Sequence, residues 1–242
     1  MVARDGDVEV LTLEHGRATA IDAAFSDALV GALDAAAAGP SRALVLAAAG
    51  KAFSGGLDLA FTARLDRAAM GAFVDAFEAM FERLAACPKP IVAAVHGAAF
   101  AGGAILALAC DARVVAPGVA FAVNEVRLGI PFPAAAFEIA RAALPSAALR
   151  EALVAGATFD AARLAALGVG RVAGPAGALA DAVELARVFA AAEPAAAALV
   201  KLDLLAELRG RIAGDRASRR ERFLDAWFAS EARARVAARF AG

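Results

Sequence analysis

Residues 96–131, HGAAFAGGAILALACDARVVAPGVAFAVNEVRLGIP, decide how this chain is read. The stretch opens on a turn of small residues in which Gly102 and Gly103 lead into a strongly apolar run. It closes on a lone carboxylate, Glu125, set between two short apolar runs. A second turn of the same character lies upstream at residues 51–59, KAFSGGLDL. Each turn feeds a predicted helix. The first amides of a helix have no intrahelical acceptor and sit at its positive end, so two such corners aimed at one point form a cradle for an oxyanion.

Working outward, 242 residues suffice for one large domain or a body with an appendage. We divide the chain into a core over residues 1–192 and a helical C-terminal region over residues 193–242. Hydrophobic residues make up 61% of the sequence, but much of that is alanine, which favours helix while adding little burial per residue. A formal net charge of -1 without a basic block argues against nucleic acid as a partner. Cys87 and Cys110 form neither a metal-ligand spacing nor a disulfide framework. The N-terminal residues show no apolar run followed by a cleavage site, so a cytoplasmic protein without a metal site is expected. Residues 91–110 carry no formal charge, a length that can span a bilayer. Pro90, the β-branched start IVAAV and the interruptions at His96, Gly97, Gly102 and Gly103 instead fit a buried strand, a turn and a buried helix.

Alternation predicts a strand over residues 8–14, continued over 17–21, then a helix over 22–38 stopped by Gly39-Pro40. A buried strand over 43–49 leads into the first glycine turn. The spacing of Met70, Phe73, Phe77, Met80, Phe81 and Leu84 predicts a helix over 66–86. Strand 91–95, the second glycine turn, helix 104–109 and strands 112–116 and 119–122 follow. Strands alternating with helices imply crossover connections and a mostly parallel sheet in an α/β fold. Beyond Pro133 helices are predicted over 134–143, 146–155, 161–167, 176–192 and 194–210. A last helical run over 218–240 puts Phe223, Trp227 and Phe228 on or near one face; it would fold back over the body or pack on a neighbouring subunit.

Three collinear stretches of this sequence resemble the crotonase, or enoyl-CoA hydratase/isomerase, superfamily. KAFSGGLDL is similar to the family's first oxyanion segment, CPKPIVAAVHGAAFAGGAILALACDAR to its second, and NEVRLGI to the segment carrying a catalytic glutamate. The resemblance implies a spiral of β–β–α turns with a helical C-terminal region, and an acyl-CoA thioester as substrate and partner. It implies a homotrimer or a dimer of trimers, and no cofactor beyond the CoA of the substrate. It further implies that the backbone N–H groups of Leu57 and Gly102 polarise the thioester carbonyl. Among CoA and acyl contacts it places Lys51, Ala52, Gly55, Asp58, Ile105 and Phe132. Lys51 is equally readable as a solvated loop lysine, and Asp58 as the cap or brace of its turn.

Glu125 is the candidate acid/base. Taken alone, a lone glutamate reads as solvated or paired with Arg127; in an apolar pocket, desolvation would raise its pKa toward the range useful near neutrality. One departure matters for the reaction. The hydratases carry a second glutamate where this chain has Ile105, and an aliphatic side chain cannot help activate water. A 3-enoyl to 2-enoyl isomerisation needs only one base to take a proton from C2 and return it at C4, and the NEVRLGI run followed by Pro131-Phe132 resembles the single-glutamate isomerase branch. Enoyl-CoA hydration and catalytically silent acyl-CoA binding are the alternatives. Glu138 is read as lying on an outer helix face, His96 as a satisfied core histidine, and Asp111 with Arg113 as a buried brace. Thr19-Ala20 stands where the family commonly has Asn-Ala.

Overall fold

The computed structural model describes residues 2–238, apart from the side chains of Arg233 and Ala237. In chain order its strands are β1 (Val2–Asp5), β2 (Val8–Leu13), β3 (Ala43–Ala48), β4 (Ile91–Val95), β5 (Ala98–Phe100), β6 (Ala112–Val115), β7 (Ala120–Ala122), β8 (Thr158–Phe159) and β9 (Arg171–Val172). The helices are α1 (Ala23–Ala38), α2 (Leu59–Thr62), α3 (Arg67–Ala85), α4 (Gly102–Leu108), α5 (Ala134–Ala143), α6 (Ser146–Leu153), α7 (Ala161–Ala166), α8 (Ala178–Ala190), α9 (Pro194–Phe228) and α10 (Ser230–Ala238).

The apolar runs of β3 and β4 become the centre of a six-stranded sheet, ordered β1-β2-β3-β4-β6-β9 and parallel except where β1 meets β2. Both faces of such a strand are covered, which is why its sequence is continuously apolar. Successive side chains still go to opposite sides. Leu44, Leu46, Ile91, Ala93 and Val95 enter the main core with α1, α3, α4 and α5. Val45, Ala47, Val92 and Ala94 meet Ala182, Leu185 and Ala186 of α8 on the other face. A second, three-stranded sheet, β5-β7-β8, turns away from the first at the end of β4. This change of sheet exposes the corner where the two glycine turns meet.

The helix starts follow capping chemistry. Asp22, Asp58, Asp66 and Asp160 each accept a backbone N–H three residues on, opening α1, α2, α3 and α7. Asp58 is therefore a cap, as one of its two readings had it. Residues 17–21 do not continue β2. They form a short 3-10 turn at Arg17–Thr19 with Ala18 and Thr19 at positive φ, and Ile21 bridges only to Leu57. Helix α4 starts at Gly102, before the expected Ala104, because tertiary packing overrides the low helix propensity of the glycine pair.

The two expected C-terminal helices are joined. Gly210 and Gly214, which weaken a helix locally, lie in the middle of α9, and the break comes instead at Ala229. Arg239 and Phe240, the end of the expected last helix, lie outside the described residues. Helix α9 folds back on its own chain. Leu208, Ile212, Phe223, Leu224 and Trp227 are buried in the main core, each large side chain contributing about 2 kcal/mol. Around that apolar seam run ion pairs: Arg211 to Glu138 (2.8 Å), Arg216 to Glu82, Arg220 to Asp75 (2.8 Å), and Arg67 to Glu221 and Asp225 (2.9 and 2.7 Å). Among the described residues, no helix is long and apolar enough to cross a membrane.

Candidate active site

The two glycine corners are stitched together by backbone hydrogen bonds. Phe53 N and Ser54 N donate to Ala98 O at 3.0 and 3.1 Å, and Phe100 N donates to Ser54 O at 3.0 Å. Close approach at these points excludes side chains. A Cβ on Gly97 would lie 1.9 Å from Lys51 O, and one on Gly103 would lie 2.3 Å from Ser54 O. The decisive contact is at Gly56, whose φ is +84°. A Cβ there would fall 2.8 Å from Phe100 O and 3.1 Å from Gly102 N, so the residue preceding Leu57 abuts the Gly102 amide.

The directions of the two amides follow from their neighbours. Ile21 N donates to Gly56 O and Asp58 N donates to Ile21 O, the pattern of a parallel bridge in which the N–H of Leu57 points away from Ile21. Gly102 is the first residue of α4, so its N–H has no place in the helical ladder. Among the described residues neither amide donates to a protein acceptor. Ala101, which aims the Gly102 amide, is held at φ +51° and ψ -124°, a conformation an alanine keeps only when its surroundings enforce it. Its N–H is tied to Ala122 O at 2.8 Å, and the Phe77 ring lies behind Gly102.

Glu125 begins a 3-10 turn, Glu125–Leu128, closed by Gly129 in the left-handed region. It faces the corners across a cavity lined by Gly55, Leu57, Leu59, Phe100, Ala101, Asn124, Leu128, Ile130 and Phe223. Carboxylate oxygen Oε2 is buried and has no hydrogen-bond partner, and among the described residues Glu125 has no ion pair. Arg127 is exposed and packs on Gly156 instead. With apolar walls and no cation, desolvation pushes the Glu125 pKa up to about 7, against a smaller opposing effect of its own backbone N–H. A carboxyl group that exchanges its proton near neutrality thus stands opposite two unpartnered amides.

Of the other residues named from sequence, Gly55 lines this cavity and Gly102 adjoins it. Lys51 is exposed beside the corner and Ala52 is half-buried. Ile105 and Phe132 are fully or almost fully buried and lie outside the lining, because α4 and the start of α5 carry them into the core. His96 is half-buried with Nε2 3.1 Å from Gly50 O, outside the core cluster that was expected to hold it. Asp111 and Arg113 do brace, but each separately. Asp111 is exposed and accepts from Ile91 N and Lys201 Nζ, both at 2.7 Å, while Arg113 donates to carbonyls at the end of α4.

The expectation for Glu138 is overturned. It is fully buried on α5, held by Arg141 at 2.6 Å and Arg211 at 2.8 Å, and does not line the cavity. Helix α9 packs over the face of α5 that carries it, leaving Arg141 and Ala142 on the exposed side. Sequence reasoning did not place Leu59, Phe100, Asn124 or Leu128 at the site. Phe223 lies on the tail that was expected either to fold back over the body or to pack on a neighbouring subunit, and it reaches the cavity of its own chain, stacked on Trp227.

The enoyl-CoA hydratase/isomerase family model matches residues 4–241. The chain belongs to the enoyl-CoA hydratase/isomerase family. A solved structure of a Mycobacterium tuberculosis enoyl-CoA isomerase is 30% identical, aligned over 90% of this chain and 96% of that one, with a TM-score of 0.84. A Thermus thermophilus protein carrying an enoyl-CoA hydratase name is 40% identical over 58% of this chain and 57% of its own length. The mitochondrial Delta(3,5)-Delta(2,4)-dienoyl-CoA isomerase of Mus musculus is 32% identical over 52% of this chain and 40% of its own length. The chain spans about half the length of the curated relatives it matches. Human mitochondrial delta3-delta2-enoyl-CoA isomerase, at 23% identity, shares the fold with a TM-score of 0.93.

Proposed function

We propose that this protein converts 3-enoyl-CoA thioesters to 2-enoyl-CoA thioesters, with Glu125 as the single proton shuttle. The observation that carries the reading is one desolvated carboxyl group facing two amides that have no protein acceptor among the described residues, across a cavity whose lining holds no second carboxylate. The Glu125 carboxylate takes a proton from C2 and the C–H electron pair moves into the thioester, placing negative charge on its oxygen. The amides of Leu57 and Gly102 hold that charge without reorganising, each worth roughly 3 kcal/mol. The dienolate then takes the proton back from Glu125 at C4, leaving the double bond between C2 and C3. Only a proton and bonding electrons within the substrate move, so the reading assigns no metal or redox cofactor, and CoA enters as part of the substrate.

Lys51 and the backbone of residues 52–55, at the rim, are assigned to CoA. Exposed apolar side chains on the first half of α9, Leu199, Val200 and Leu204, support self-association of this region as a trimer or dimer of trimers. The two cysteines, free and buried, accord with a reducing cytoplasm.

The hydratase names among the relatives favour a second reading, water addition to 2-enoyl-CoA. Incubating each ester separately and analysing products distinguishes them. The proposal expects 2-enoyl-CoA from the 3-enoyl ester and negligible 3-hydroxyacyl-CoA from either. Rapid hydration would overturn it in favour of the hydratase.

A further inference from the structure

A third carboxyl group is withdrawn from water, and the chemistry above does not use it. Glu78 of α3 is fully buried. Its Oε1 accepts from Ala135 N at 2.7 Å, while its Oε2 is buried without a hydrogen-bond partner, with Arg216 Nη1 at 4.0 Å. Glu82 and Asp75 on its own helix and Arg216 on α9 are the charged groups around it, and burial holds its pKa above the usual carboxylate range. A carboxyl group using one oxygen of two costs more than an apolar side chain of the same size. Packing alone does not explain it.

Its partner does. Helix α5 opens after Pro133, which offers no side-chain cap, so the free amides at that helix start need an acceptor from elsewhere. Glu78 supplies one from across the core, at the positive end of the helix. Between Glu125's turn and Ala135 lie only residues 129–134. Prolines at 131 and 133 fix φ there, which leaves little slack to absorb a displacement of Ala135. The segment includes Ile130, a wall of the cavity beside Glu125, whose N–H reaches Glu125 O at 3.3 Å. Helix α3 also carries Phe77, the residue behind Gly102. Helix α3 therefore touches the Gly102 corner directly and the segment carrying Ile130 through Ala135.

We propose that Glu78 is a positioning residue: by holding Ala135 it fixes the Ile130 wall against Glu125 and so sets the carboxyl group relative to the Leu57 and Gly102 amides. This rests on the reading of Glu125 as the proton shuttle. Around Glu125's loop, Arg127 packs on Gly156 and Arg235 of α10 lies against Gly129, and neither pairs with Glu125. A change in Glu125's titration therefore reports how well the wall excludes water.

The test follows the Glu125 carboxyl by 13C NMR titration, assigned with Glu125→Gln, alongside kcat and KM on 3-enoyl-CoA. In Glu78→Leu the titration midpoint falls by about one pH unit toward ordinary glutamate, and kcat falls about tenfold with KM within about threefold. Glu78→Gln keeps the acceptor for Ala135 N and restores both. Arg220→Met loosens the same α3–α9 contact without touching Ala135 and leaves both at parental values. If Glu78→Leu does not fold, Glu78→Met is read the same way. A folded Leu or Met variant with parental midpoint and kcat overturns the proposal, as does an Arg220→Met shift of equal size. Parental turnover by Glu125→Gln would instead remove the shuttle, while the midpoint in Glu78→Leu would still report on positioning.

Discussion

Glu125 and Glu138 lie in neighbouring segments and both have an oxygen withdrawn from water, yet they have opposite fates. Glu138 sits under α9 between two arginines, Arg141 of its own helix and Arg211 of α9. Glu125 sits in a mostly apolar cavity with no cation paired to it among the described residues, and its pKa is pushed up to about 7. The difference lies in the partners, not in the residue type. Where Arg211 of α9 and Arg141 of α5 meet it, a carboxylate becomes a brace; where Leu128 of the Glu125 turn and Ile130 just beyond Gly129 wall it in, it becomes a group that can exchange a proton near neutrality.

The largest test of this contrast is Glu125→Gln. It keeps the shape and removes the exchangeable proton, so kcat on 3-enoyl-CoA falls by roughly 10²–10⁴-fold while calorimetric affinity for a CoA ester stays within a fewfold. Glu138→Gln, assayed beside it, should keep most of its turnover; equal losses would erase the distinction.

Next comes the oxyanion side of the same cavity. Gly56→Ala puts a methyl group against Phe100 O and Gly102 N at a φ that L residues avoid. The two amides are wedged apart, and kcat falls by about 10²-fold. A crystal structure of the variant should show the displacement at Gly102.

Removing the brace acts on stability instead. Glu138→Ala removes the partner of Arg141 and leaves Arg211 with Glu207 alone; both arginines are part-exposed, so the loss is discounted for their access to water to about 2 kcal/mol. In a chain of this size that lowers Tm by roughly 4–8 °C, measurable by calorimetry.

The last effect appears only as pH is varied, as the cost that Glu125 imposes on folding. Unfolded, a glutamate ionises near about pH 4.3; folded, Glu125 holds its proton to about 7. Below the first value both states are protonated and there is no cost. As pH rises toward the second, the unfolded state gives up its proton first and stability declines, levelling off above it. Glu125→Gln should therefore match the parent in urea unfolding near pH 4 and exceed it by about 3–4 kcal/mol at pH 8. A gain independent of pH would mean that Glu125 is solvated.

Much of this was legible in the sequence. The apolar runs of β3 and β4 and the spacing of Met70, Phe73, Phe77, Met80, Phe81 and Leu84 in α3 are local signals, and they led to the right elements within a residue or two. The paired glycine corners and Glu125 were legible because close backbone approach and a lone carboxylate leave marks in the residue types themselves. What failed was set at long range. Strands β1, β5, β8 and β9 have two to four residues each, too few to show a period. The burial of Glu138 and the placement of Phe223 depend on where α9 lies, and the α9 sequence, with apolar residues on several faces, does not announce which helices it will cover.

The most direct test of the central claim is the exchange of C2 protons of 3-enoyl-CoA into deuterated water, followed by NMR as a function of pH. A desolvated carboxylate base predicts exchange that rises with an apparent pKa near 7 and falls to background in Glu125→Gln. Exchange by the variant at the parental rate, or a parental profile already flat above pH 5, would contradict it.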